Sequence, residues 1–315
     1  MKYLVTGGAG FIGSNVTEAL VNLGEDVVVL DNLSTGKRSN IEPFLMKGNM
    51  RFIEGTIIDY ETCAEACRGA DYVLHQAAFV SVPGSIEDPK ITHDTNVTGT
   101  VNIFHAAKDA GVRRIVWASS TAVYGNSEIL PNVETMPLCP LSPYAASKAA
   151  GEMYARAFSE VYGLSIIGLR YYNVFGKRQD PSSAYAAVIP IFVAGLLRGE
   201  QVTIFGDGEQ TRDFVFVENV VQANIKAATQ SKPESSGRSF NIGCGERISI
   251  HTLYRIIARE LHSNSQPVYR SSRPGDVRDS VADISAAKEA FGYEPGINVE
   301  EGLKKSIAWY RDNIL

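Results

Sequence analysis

The stretch Tyr3-Leu4-Val5-Thr6-Gly7-Gly8-Ala9-Gly10-Phe11-Ile12-Gly13 decides how the chain is read. An apolar run breaks at Gly7 and resumes at Phe11 with helical spacing that stops near Gly24, the pattern of a strand, a glycine turn and a helix. A second apolar run, Asp26-Val27-Val28-Val29-Leu30, ends on Asp31. Glycines at 7, 10 and 13 let the backbone come close to a pyrophosphate, and the helix start offers unpaired N–H groups and a positive dipole end. An acid at the tip of the second strand accepts from ribose hydroxyls. The unit predicts a bound dinucleotide. A 2′-phosphate beside Asp31 would bring like charges together, so NAD is expected over NADP, with Lys37 and Arg38 weighing the other way. The polar turn Asn32-Leu33-Ser34-Thr35-Gly36 is placed to wrap the adenosine ribose.

The surrounding composition narrows the class. The chain has 315 residues, 44% of them hydrophobic, enough for one large domain or two smaller ones sharing a core. Net charge is -5 with both signs dispersed and no basic run, so nucleic acid is not an expected partner. Four scattered cysteines do not make a disulfide framework, and Cys63 and Cys67 lack a usual metal spacing, so no metal is expected. No apolar stretch has the length of a membrane span, and an apolar strand from residue 2 leaves no room for a signal peptide. The expectation is a cytoplasmic protein without membrane partners.

Further along, strands alternate with helices, which predicts βαβ units and a parallel sheet. Strands are expected at 51–55, 70–75, 113–118 and 165–170, with helices over 96–110 and from Ser142 to Gly163. Ser142 suits the N-cap, Pro143 the first helical position, and Gly163 the stop. Gln76, Ala77 and Ala78 follow the fourth strand at its carboxyl end, where open parallel sheets bind ligands. His75, just before them, reads as a packed core histidine rather than a base. From Asn173 the alternation weakens. A polar loop over 176–185, a helix over 188–197, a short strand over 202–205, one strand over 211–217 and a final helix over 299–311 are expected.

Ser120, Tyr144 and Lys148 supply a chemistry for the dinucleotide. Removing hydride from a secondary alcohol requires taking its hydroxyl proton, and a free tyrosine, with a pKa of about 10, is a poor base near neutrality. Bringing it there takes about 4 kcal/mol, roughly what one cation at about 4 Å in an effective dielectric near 20 supplies. Residues four apart share a helix face, so Lys148 can tune Tyr144. Tyr144 is then base and acid, Lys148 its electrostatic tuner and a holder of the nicotinamide ribose, and Ser120 a hydrogen-bond bridge.

Gly7-x-x-Gly10-x-x-Gly13, the strand-end serine and Tyr144-x-x-x-Lys148 resemble the extended short-chain dehydrogenase/reductase family. Arg170-Tyr171-Tyr172-Asn173-Val174-Phe175-Gly176, Gly206-Asp207-Gly208, Thr211-Arg212-Asp213-Phe214 and Arg273-Pro274-Gly275-Asp276 are similar to its nucleotide-sugar branch, across nearly the whole chain. The resemblance implies an α/β protein, a Rossmann-type doubly wound parallel sheet with a smaller interleaved α/β substrate domain. The NAD domain would be 1–172 with a segment returning at about 213–240, and the nucleotide-sugar domain 173–212 and 241–315. It assigns Phe11, Ile12, Thr56, Ile57, Asn96, Ser119 and Tyr171 to the cofactor as well. Asn173, Val188, Arg212, Arg273 and Asp276 go to the nucleotide sugar.

Dehydratases of this branch carry an acidic pair just after the catalytic serine, and decarboxylases a glutamate before Val-Tyr-Gly. Thr121 and Ala122 stand here instead, so the resemblance points to 4-epimerisation of a UDP-hexose. Ser280 takes the place of a bulky tyrosine and leaves room for a 2-acetamido group. Ser81 would face the sugar. UDP-GlcNAc and UDP-GalNAc are therefore expected beside UDP-Glc and UDP-Gal. Epimerisation of UDP-glucuronate and a non-catalytic NAD-binding regulator are the alternatives. Thr56 replaces a usual aspartate against the adenine, and a homodimer through the 96–110 helix and the helix starting at Ser142 is implied.

Overall fold

Short runs rich in Val, Ile and Leu, closed by glycine or polar turns, build the strands. These are β1 (Lys2–Thr6), β2 (Asp26–Asp31), β3 (Met50–Glu54), β4 (Tyr72–His75), β5 (Arg114–Ser120) and β6 (Ser165–Tyr171). After them come β7 (Asn173–Phe175), β8 (Thr203–Phe205), β9 (Thr211–Arg212), β10 (Phe214–Phe216), β11 (Arg238–Ile242), β12 (Ile248–Ser249) and β13 (Val268–Arg270). The computed structural model describes residues 1–182, 187–272 and 278–314. Seven strands form one parallel sheet in the order β11-β6-β5-β4-β1-β2-β3. The order reverses between β1 and β4, so a crevice opens at their carboxyl ends.

Alternation along each strand sends side chains to opposite faces. Tyr3, Val5, Val27, Val29, Leu74 and Ile167 pack on one side with Val16 and Leu20 of the Phe11–Asn22 helix and Val220 of the Val217–Gln230 helix. Leu4, Val28, Leu30, Val73, Ile115 and Ile166 pack on the other with Cys63, Phe104 and Ala155. Both faces are covered by helices, the doubly wound Rossmann-type arrangement. A third core gathers Phe175, Phe192, Ile204, Phe216, Leu253, Leu303 and Tyr310 around three two-stranded sheets, β7 with β10, β8 with β13 and β9 with β12. No helix among the described residues is long and apolar enough to cross a membrane.

Two local expectations change. The strand expected over 211–217 splits at Asp213: β9 pairs antiparallel with β12, and β10 pairs parallel with β7. Asp213 is fully buried and its carboxylate accepts from the backbone N–H of Cys244, Gly245 and Ala282, so its residue turns inward to hold other segments. Val217 then opens a helix instead of ending a strand. The helix expected over 96–110 is preceded by the Pro89–His93 helix and widens into a π turn at Asp94–Thr98 before running regularly over Gly99–Asp109.

Candidate active site

The glycine turn is built by close backbone approach. Gly7 has φ +66° and its N–H donates to Leu30 O at 2.8 Å. A Cβ on Gly7 would lie 2.7 Å from Ala77 N, and one on Gly13 2.0 Å from Gly7 O. The Phe11–Asn22 helix starts at Gly10 with no side-chain cap and no acid in its first turn. Its positive end and first N–H groups, around Phe11, Ile12 and Gly13, face the crevice unneutralised.

Asp31 is buried, and its carboxylate accepts from Ala9 N at 2.9 Å and Leu33 N at 2.8 Å. Asn32 Oδ1 caps Ser34 N at 3.1 Å, and Gly36 packs on Ala9 and Asp31, where a Cβ would meet both at 3.0 Å. Ser34, Thr35 and Gly36 therefore stand over the glycine turn. The two cations that left the cofactor choice open have carboxylate partners. Lys37 Nζ pairs with Asp180 at 2.6 Å, and Arg38 with Glu54 at 3.8 Å while lying over the Phe52 ring. An uncapped helix start, a glycine cradle that a Cβ would fill and an acid at the ribose position fit a nicotinamide dinucleotide without a 2′-phosphate.

Several residues expected on the cofactor use their polar atoms to hold protein. Asn96, in the π turn, accepts from Phe79 N at 2.7 Å and donates to Phe79 O and Ser147 Oγ, each at 3.0 Å. It clamps the segment after β4. Gln76 donates to Asn224 Oδ1 at 2.9 Å and accepts from the Tyr171 hydroxyl at 3.0 Å, and Asn224 donates back to that hydroxyl at 2.8 Å. Thr56 Oγ1 accepts from Ile58 N at 3.2 Å, and Ile57 is buried under Gly99. Ala77 N donates to Thr6 Oγ1 at 3.2 Å, and Ala78 is half-buried beside it. The hydroxyl of Ser119 is buried and donates to Glu152 at 2.6 Å, so it does not point at a ligand.

The proposed catalytic side chains come together. Ser142 caps the Pro143–Tyr162 helix by accepting from Ala145 N. Tyr144 and Lys148, one turn apart and both buried, face the end of β5, where the Ser120 hydroxyl lies beside the Tyr144 phenol. Burial holds the Tyr144 phenol above its ordinary value, and the neighbouring Ser120 hydroxyl pulls it back only in part. The expected lowering by Lys148 is not found. Lys148 Nζ donates to Ala118 O at 2.8 Å and sits 5.9 Å from the phenol ring centre, while burial brings its own pKa down to about 8. His75 is a core residue as read. Its ring nitrogens bond Thr6 and Thr100, and burial, with the Lys148 charge adding, pushes its pKa down to about 3.

On the opposite side, Asn173 N and Nδ2 both donate to Asp213 O, at 3.1 and 3.0 Å. Arg212 Nη1 donates to Thr211 O and Arg278 O, at 2.9 and 3.1 Å. Ser280 is half-buried with its N–H on Thr211 O, and Val188 opens the Val188–Leu197 helix. Arg273 and Asp276 lie outside the described residues. Ser81 is buried and its Oγ caps the Val82–Glu87 helix by accepting from Gly84 N at 2.8 Å, which leaves its hydroxyl proton and one lone pair for a sugar.

Sequence reasoning passed over Glu152, Asn224 and Asp213. Glu152 stands four residues beyond Lys148, so the same-face rule that paired Tyr144 with Lys148 extends to it. Asp213 lay inside the Thr211-Arg212-Asp213-Phe214 motif without a role of its own, and Asn224 carried no local signal.

Geometry and ancestry agree. The chain matches the NAD dependent epimerase/dehydratase family over residues 3–243 and belongs to it. It is 39% identical over 314 residues to a UDP-glucose 4-epimerase of Mycolicibacterium smegmatis, covering 99% of each chain. Its structure is similar to that of a UDP-N-acetylglucosamine 4-epimerase from Methanobrevibacter ruminantium in complex with UDP-N-acetylmuramic acid. That match has a TM-score of 0.94 and 38% identity, over 99% of this chain and 98% of the other. A Thermotoga maritima UDP-glucose 4-epimerase with UDP-glucose gives a TM-score of 0.93 and 39% identity over 100% of both chains.

Proposed function

We propose that this chain is a UDP-sugar 4-epimerase, an isomerase that uses NAD, and that its sugar range includes 2-acetamido sugars, UDP-GlcNAc and UDP-GalNAc, beside UDP-Glc and UDP-Gal. The observation that carries the reading is the convergence of Ser120, Tyr144 and Lys148, the last two on one helix face with Lys148 tied to the end of β5, next to an uncapped helix start at the glycine turn. NAD when bound supplies the hydride acceptor, the later hydride donor and, in its oxidised form, a positive ring. Tyr144 takes the C4 hydroxyl proton, with Ser120 sharing the hydrogen bond, and returns a proton when the 4-keto sugar is reduced on its other face. The absence of a carboxyl group at Thr121 and Ala122 argues against water elimination. Arg212 and Asn173, with Arg273 and Asp276, are assigned to the nucleotide, which stays seated while the sugar turns.

The acetamido reading rests on Ser280. Residues 279–283 run between Thr211, which Asp279 and Ser280 bond, and Asn132 in the loop after β5. A small side chain there leaves space between the nucleotide side and the catalytic strand. Incubating the protein with UDP-GlcNAc, UDP-Glc and UDP-glucuronate and resolving the C4 epimers tests substrate and activity together. Turnover of UDP-GlcNAc is expected, lost in Ser280→Tyr while UDP-Glc turnover remains. Activity confined to UDP-Glc in the unaltered protein would defeat the acetamido assignment.

We also assign a homodimer. Ile86, Ile91, Met153, Tyr154, Val161 and Tyr162 are large apolar side chains exposed on the Val82–Glu87, Pro89–His93 and Pro143–Tyr162 helices, a face a second copy would cover. The 173–212 and 241–315 segments are assigned to the nucleotide sugar. Unpaired thiols, with Cys63 and Cys67 buried, suit a reducing cytoplasm.

A further inference from the structure

Three consecutive residues at the end of β5 are tied to three residues on one face of the Pro143–Tyr162 helix. The carbonyl of Ala118 accepts from Lys148 Nζ at 2.8 Å, the Ser119 hydroxyl donates to Glu152 Oε1 at 2.6 Å, and the Ser120 hydroxyl lies beside Tyr144. Positions 144, 148 and 152 recur at four-residue intervals and stack along the helix. Two of these ties belong to the proposed chemistry. The third is buried away from it, with Ser119 3% and Glu152 5% exposed.

The third tie has an anchor of its own. Arg170 of β6 is the register partner of Ser119 and forks onto Glu152, Nε to Oε1 at 2.8 Å and Nη2 to Oε2 at 2.6 Å. Its Nη1 donates to the Tyr124 hydroxyl at 2.7 Å and to Glu134 O at 3.3 Å, and Tyr124 in turn donates to Asn241 Oδ1 of β11 at 2.7 Å. A buried ion pair is a poor source of net stability, because desolvation offsets the attraction. A forked, two-bond pair instead fixes direction. Here the direction fixed is that of the Ser119 hydroxyl, one residue from Ser120 and one from the carbonyl that seats Lys148.

We infer that Glu152 and Arg170 are positioning residues of the reaction: through Ser119 they set the strand end against the helix, and so set Ser120 against Tyr144 and the seat of Lys148. Neither touches sugar or cofactor. The inference rests on Tyr144 being the proton-transfer residue. A displacement of about 1 Å at a reacting group costs on the order of a hundredfold in rate, so a loosened strand end is read in turnover before it is read in binding.

Glu152→Gln keeps an acceptor but leaves Arg170 buried without its charge partner, and that variant can fail to fold. Ser119→Ala is the cleaner perturbation, since it removes the tie and leaves the ion pair intact. We expect Ser119→Ala to lower kcat about tenfold to a hundredfold, with KM for the UDP-sugar and the NAD content of the purified protein unchanged. The limb of the pH–kcat profile set by Tyr144 should move to higher pH, because a displaced Ser120 hydroxyl no longer favours the phenolate. Ser119→Thr, which retains the hydroxyl, should recover most of the rate. Tyr144→Phe is measured alongside. Near-full activity in Tyr144→Phe would overturn the proton-transfer assignment itself. An inactive Tyr144→Phe together with a Ser119→Ala protein of unchanged kcat and pH profile, and at most a lower Tm, would overturn the positioning role alone.

Discussion

A methyl group at Gly13 would lie 2.0 Å from Gly7 O, 2.7 Å from Gly7 C and 2.9 Å from Gly8 Cα. The closest ordinary carbon-to-oxygen approach is about 3.3 Å, so the overlap with the oxygen alone exceeds about 1 Å. All three atoms are backbone and none can swing away. Gly7 is pinned by its N–H on Leu30 O at 2.8 Å and by its carbonyl on Gly10 N at 3.1 Å. The helix start has to slide off the turn. Gly10 gives the contrast, since a methyl there meets only Gly7 O, at 3.2 Å, which a shift of tenths of an ångström relieves. We expect Gly13→Ala to destabilise the cofactor-free protein by about 1–3 kcal/mol, the usual cost of overpacking, or roughly 1.5–4.5 °C in Tm for a chain of this size. It should also lose bound NAD. Gly10→Ala should leave the cofactor-free Tm within about 1 °C and weaken NAD alone, because its methyl occupies the space the pyrophosphate approaches. Thermal unfolding of stripped protein, paired with chromatography of the NAD released by acid, separates the two effects. Equal cofactor-free Tm values for both variants, or full NAD retention in Gly13→Ala, would refute the reasoning.

Two further outcomes are open to measurement. Burial raises the Asp213 carboxyl to about 6, above its ordinary value of 3.8, even though three N–H donors favour its charged form. The folded state then holds a proton the unfolded state has lost, so this contribution to stability is complete below the unfolded value and fades as pH rises through about 6. The stability of the unaltered protein relative to Asp213→Asn should therefore rise as pH is lowered from 7.5 to about 5, and a flat difference in urea titrations would contradict it. Asp31→Ser should weaken NAD binding about tenfold or more without admitting NADP, because Lys37 and Arg38 are held by Asp180 and Glu54. Adding Asp180→Asn frees Lys37 and should bring NADP into range. NADP binding by Asp31→Ser alone, in fluorescence titrations, would show that those ion pairs do not restrain the choice.

What was legible in the sequence was legible because its determinants are local. The Gly7–Gly13 turn, the Ser142 cap, the Gly163 stop and the Tyr144–Lys148 spacing each depend on residues within a few positions, and each lies where the pattern puts it. The misplaced features depend on distant partners. β9 and β10 part company because Asp213 reaches Cys244, Gly245 and Ala282, and no rule of strand alternation contains those contacts. The π turn at Asp94–Thr98 carries Asn96, which is held to Phe79 and Ser147 from two other elements. Ser119, Tyr171 and Asn96, assigned to the cofactor by resemblance, also hold buried protein groups on other elements, which no local pattern announces. Glu152 was within reach of the spacing argument and was missed, because a carboxylate one turn beyond Lys148 carries no motif of its own.

β11 pairs with β6 but enters the chain only after β7 to β10 and two helices have been made. While the protein is being synthesised, β6 is therefore the open edge of a six-stranded sheet, with its hydrogen-bonding groups bare. Asn241, which completes the Tyr124–Arg170 chain, rides on that late strand. The nascent amino-terminal part can acquire its glycine turn and its Tyr144–Lys148 face early. Arg170 has its own partners, Glu152, Tyr124 and Glu134, before that strand exists, but the Tyr124 hydroxyl gains its acceptor on Asn241 only when the returning segment closes the sheet, so the chain of bonds behind Ser119 is completed late.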